Sequence, residues 1–153
     1  MNRYVLLVLM AIMTLSCNTN DDGLEGVEVR STLIADDVLY GAGREGINKE
    51  NFVITNTNDW DNLAAKMNAV NNATQNFTET DIDFSKYTVI AVFDEVRPTG
   101  GYDISLEIKE TTNRTLVKIS NTGPSIGSGA TTVVTQPYVI RKIQKTDLPV
   151  VFN

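Results

Sequence analysis

"KYTVIAVFDEVRPTGGYDISLEIK", residues 86–109, decides the fold. Its first part holds five consecutive apolar residues, Val89 through Phe93. That suits a strand buried on both faces. Its last part alternates: Tyr102, Ile104, Leu106 and Ile108 fall on one side, and Asp103, Ser105, Glu107 and Lys109 on the other. Such alternation marks a half-exposed antiparallel strand. Between them lies Arg97-Pro98-Thr99-Gly100-Gly101. Pro98 presets φ for the second position of a turn and Gly100 can take φ > 0. The expectation is a hairpin loop with a glycine bulge joining strands 88–96 and 102–109.

Reading outward, "LVKIS" (116–120) is the expected partner of the alternating strand across a "TTNRT" turn. A Gly/Pro-rich loop, 121–130, leads to a last strand, "QPYVIRKI" (136–143). Upstream, a weakly alternating strand is read at about 27–35, a glycine-rich loop at 39–50 and a short strand at 51–56. Trp60, Leu63, Ala64, Met67 and Val70 fall on one face at helical period, with Thr57, Asn58 or Asp59 as cap. Trp60 reads as a core anchor. The predicted class is α+β: a mainly antiparallel β-sheet with one amphipathic helix, about 58–70, packed on it.

The 153 residues suffice for one domain with a real core. Thirteen basic against nineteen acidic residues give a net charge of -6. That argues against nucleic acid, whose binding rests on Lys and Arg neutralising phosphates. There is no histidine and one cysteine. Counting therefore excludes a His-dependent triad, a Cys–His pair, a Cys/His zinc site and an intramolecular disulfide. No calcium-loop motif occurs. Asp94 and Glu95 are the only carboxylate pair near the loop, and neighbouring strand residues point to opposite faces. No catalytic constellation can be assembled. The chain reads as a non-enzyme with no cofactor.

The amino terminus reads as an address. Arg3 precedes an uncharged, mostly apolar run from Tyr4 to Leu15, too short to span a bilayer and suited to a secretory signal. Cys17, the only cysteine, follows directly. This resembles the lipobox of bacterial lipoproteins, although Thr14 stands where leucine is usual. The expected organisation is a signal peptide at 1–16, lipidation at Cys17, an acidic tether at 17–27 and one domain at 28–153. Asp21 and Asp22 resemble signals that send some lipoproteins to the cell surface. The expected place is the bacterial cell envelope, as an outer-membrane lipoprotein held to the membrane by its lipid.

Residues 83–108, the Gly/Pro loop and "TQPYVIRKI" together resemble the C-terminal domain of the protease complex subunit PrcB family, as does Trp60-x-x-Leu63 ahead of "DFS". The resemblance covers about residues 50 to 145. It implies a lipid-anchored, non-catalytic assembly module that associates with a secreted or surface protease, or with another envelope protein. The contact residues expected on rigid loops are Arg97, Pro98, Thr99, Gly100, Gly101, Tyr102, Gln136, Pro137 and Tyr138. A weaker resemblance links Arg97-Pro98-Thr99-Gly100-Gly101, Gly127-Ser128-Gly129-Ala130 and Gln136-Pro137-Tyr138 to the three loops of chagasin-type cysteine protease inhibitors. The alternative it implies is a protease inhibitor using the first and last of these.

Overall fold

A computed structural model describes residues 26–125, 127 and 131–153. The expected signal peptide, Cys17 and most of the tether lie outside the described residues, as do Ser128, Gly129 and Ala130. In chain order the elements are β1 (Val27–Glu28), β2 (Ser31–Leu39), β3 (Glu50–Ile54), α1 (Thr57–Met67), a 3₁₀ turn (Ala73–Asn76), β4 (Tyr87–Phe93), β5 (Asp103–Glu110), β6 (Thr115–Thr122), β7 (Gln136–Gln144) and β8 (Val150–Phe152). The α+β, β-rich class holds. β1 opens at Val27, inside the stretch read as tether.

The strands form two sheets, ordered β2-β7-β4-β3 and β1-β5-β6-β8. All pairs are antiparallel except β6 with β8, which are parallel. The first sheet is the middle layer of three. On one side α1 and the loops after it bury Trp60, Leu63 and Met67 with Val89, Ala91, Phe93, Tyr138 and Ile140. On the other side Ile90, Val92, Val139 and Ile143 meet Ile104, Ile108 and Val117 of the second sheet. β4 is therefore apolar at every position from Val89 to Phe93 because both of its faces are covered. Each fully buried aliphatic side chain stabilises the fold by about 1.5–3 kcal/mol.

β5 and β6 pair as expected, Ile104 opposite Asn121 and Ile108 opposite Val117. The 97–101 loop, however, does not close a hairpin. β4 pairs with β3 and β7, whereas β5 pairs with β1 and β6, so the loop carries the chain from one sheet to the other. A turn-forming sequence fixes a change of direction, and which strands then pair is decided by burial. β4 must be covered on two faces and β5 on one.

The helix starts and stops earlier than its periodicity predicts. Asn56 is the cap: its side chain accepts from the Asp59 amide at 3.0 Å and donates to the Asp59 carboxylate at 2.7 Å. At the other end the Asn68 side chain bonds Thr74, donating to its hydroxyl at 2.8 Å and accepting from its amide at 3.1 Å. That ties the chain into the 3₁₀ turn and ends α1 at Met67, so Val70 lies beyond the helix. The Trp60 indole donates to the Thr80 carbonyl at 2.8 Å, which satisfies its one polar atom while the ring is buried.

A candidate contact site around Arg97

β4 ends at Phe93, and the next four residues build a charged corner. Asp94 is 3% exposed. Its Oδ2 accepts from both Nε (2.9 Å) and Nη2 of Arg97. Its Oδ1 lies 2.9 Å from Lys49 Nζ. Arg97 Nη1 reaches Glu95 Oε1 at 2.7 Å. Burial pushes the Asp94 carboxyl up, but Lys49 and Arg97 outweigh it and hold the group below the usual carboxylate range. The bond to Asp94 in turn raises Arg97 above the ordinary guanidinium value. Asp94 and Glu95 both meet one guanidinium. The strand has already ended, so the alternation that would point them apart no longer applies.

The backbone of the loop is stitched to the segment before β7. The Arg97 amide donates to the Thr135 carbonyl at 2.7 Å, and the Thr135 amide donates back at 3.0 Å. Thr135 Oγ1 donates to Thr99 O at 3.0 Å, and the Gly100 amide to Thr131 O at 3.2 Å. Gly100 is buried, and a Cβ there would stand 2.5 Å from Thr131 Oγ1. Gly101 takes φ +88°, the left-handed region that glycine occupies without strain. Pro98 is exposed, and Thr99 is half-buried.

Tyr102 completes the corner. The Arg97 guanidinium carbon lies 4.7 Å from the Tyr102 ring centroid, within the range of a cation–π contact. On the ring's edge, Gly123 approaches so closely that a Cβ would be 3.1 Å from Cε1. Arg97 is thus fixed by two carboxylates and a ring, and part of its side chain still meets solvent. Val96, Val133 and Val134 are exposed apolar residues next to the Arg97–Thr135 bridge. Exposed apolar residues rimmed by polar ones, with arginine and tyrosine among them, are a feature of contact surfaces.

The other expected contact residues lie elsewhere. Gln136, Pro137 and Tyr138 open β7 and are buried, Gln136 and Tyr138 each at 1% exposure. Gln136 Nε2 donates to the Ile47 and Asp94 carbonyls at 3.0 and 2.9 Å, and the Asp94 amide donates to Pro137 O at 3.0 Å. Tyr138 stacks on Phe93 with centroids 5.6 Å apart, and burial raises its phenol well above the usual tyrosine value. These three residues support the corner from behind and present no loop. Their Pro–aromatic signature came from strand packing. Lys49, Asp94, Val96 and Thr135 belong to the corner and were not among the expected contacts. The i, i+3 spacing of Asp94 and Arg97 was the one readable signal.

Among the described residues no three acidic or cysteine side chains converge to hold a metal ion. Fold and corner together define a β-rich module that presents a clamped arginine–tyrosine loop. Residues 88–144, from β4 through β7, match the model of the PrcB C-terminal family. The likeness read from sequence reached back to about residue 50, so α1 and β3 fall outside the matched segment. Neither a curated protein nor a solved structure matches the chain.

Proposed function

We propose that this chain is a non-catalytic binding and assembly module, anchored by lipid on Cys17 in the bacterial outer membrane, whose contact surface is the 97–102 corner. The observation that carries the reading is the clamped Arg97–Tyr102 pair inside the PrcB-like segment. A side chain already held in place loses little conformational freedom on binding, and arginine and tyrosine are the types that dominate contact energies. The partner class is a secreted or surface protease, or another envelope protein. With Gln136, Pro137 and Tyr138 buried, the inhibitor alternative is left with one of its two loops.

Capture from detergent-solubilised native membranes tests this. The tagged full chain is compared with Cys17→Ala and with Tyr102→Ala, and the eluates are read by mass spectrometry. The reading expects a protease or envelope protein enriched by wild type and depleted with Tyr102→Ala. It expects Cys17→Ala to leave the membrane fraction. Enrichment untouched by Tyr102→Ala would place the contact on another face.

A further inference from the structure

Two sheets leave four edge strands among the described residues, and three of them are protected. β1 has two residues and β8 three, too few to template another strand. β2 is long, but its register breaks between Leu33 and Ala35, and Thr78 covers that stretch: its amide donates to Ile34 O and its hydroxyl to Leu33 O, both at 2.9 Å. β3 has no such device. Its five residues, Glu50–Ile54, pair with β4 in unbroken register and carry no proline and no bulge. Val53 is 40% exposed. A groove of about 220 Å³ lies between this edge and α1, lined by Phe52, Val53, Ile54 and Leu63 and by Asp59 and Lys66 of the helix.

We propose that β3 pairs antiparallel with β3 of a second copy of this chain, centred on Phe52, and joins the two central sheets into one of eight strands. The pattern is self-complementary. With Phe52 on the two-fold axis, Glu50 faces Ile54 of the other copy and Asn51 faces Val53, so no like charges stand opposite each other. Such an axis is perpendicular to the sheet, so both α1 helices lie on the same face and run antiparallel. Asp59 and Lys66 flank the helix midpoint at Asn62 and Leu63. The same rotation therefore sets Asp59 of each copy toward Lys66 of the other, as an isologous interface requires.

The test uses the full chain with Cys17→Ala in mild detergent, because the register predicts which cysteines can meet. Asn51→Cys and Val53→Cys chains, both altered at exposed positions, are oxidised separately and mixed. Directly opposed residues are within disulfide reach, and diagonal ones are at or beyond its limit. The mixture should cross-link at least tenfold faster than either chain alone. In sedimentation velocity between 1 and 200 µM, Lys66→Glu should weaken association at least tenfold by setting Glu against Asp59. A monomer throughout, equal cross-linking in all three samples, or association that Lys66→Glu leaves intact would each overturn the proposal. The last outcome would assign self-association, through micelle or domain, to another surface.

Discussion

Arg97 places two nitrogens on one oxygen of Asp94, and Lys49 takes the other oxygen, so a carboxylate at 3% exposure is held by two cations. The strand supplying Asp94 ends one residue earlier, and the loop supplying Arg97 crosses between the sheets. This ion pair therefore ties the sheet crossover to the core. A buried pair is weak evidence for net stability, but breaking one leaves a charge without compensation.

Asp94→Ala should cost about 3 kcal/mol, measured by urea denaturation, because it removes the buried carboxylate that holds the mostly buried Arg97. Lys49→Ala, at an exposed end of the same network, should cost under about 1 kcal/mol. Equal costs would mean that the Asp94–Arg97 bonds add nothing beyond the Lys49 pair.

Asp94 also sets an acid limit. Its folded-state value lies below that of the unfolded chain. Its contribution is therefore complete above about pH 4 to 5 and is lost as pH falls through the folded value. Asp94→Asn should flatten the fall in melting temperature between about pH 5 and pH 2.

Asp36 has the opposite sign. Burial, then the charge of Asp103 and a hydrogen bond to it, raise the Asp36 carboxyl. A raised acid stabilises when protonated, and that contribution is lost as pH rises through its folded value. Asp36→Asn should therefore raise the melting temperature at pH 7 and have little effect near pH 3. A gain that persists at pH 3 would point to strand propensity instead of charge.

Tyr138 separates support from contact. Tyr138→Ala should cost about 3–5 kcal/mol, since it empties a site between Phe93 and Phe77. Tyr138→Phe keeps the ring and should leave partner binding unchanged, as followed by capture yield. Gly101→Ala forces an L-residue to φ +88° with its Cβ 3.3 Å from Pro124. It should cost about 1–2 kcal/mol and shift the loop, lowering capture along with stability.

Much of the fold was legible because it is written in local periods. The β4 run, the β5 alternation and the α1 face from Trp60 to Met67 each appear where the pattern put them. The splitting into two sheets was not legible, because "RPTGG" dictates a turn and leaves the pairing to distant strands. β8 was missed because three residues after a proline carry no period, and its partner β6 is parallel and far away in sequence. The site was half legible. Arg97 and Tyr102 were visible as rigid-loop residues. Their clamp was not, because Lys49 and Thr135 arrive through tertiary structure. Pro137 and Tyr138 resembled a loop motif, yet they open the buried strand β7.

The most direct test of the contact surface is photo-cross-linking in cells that make the protein naturally. A photo-reactive residue replaces exposed Pro98 in one strain and exposed Thr112, in the turn at the other end of β5, in another. Both positions tolerate a large side chain, so both proteins should fold. A discrete adduct with a protease or envelope protein is expected from position 98 and none from position 112. The same adduct from 112 and none from 98 would contradict the proposed contact surface, and the crossover loop would then serve the fold alone.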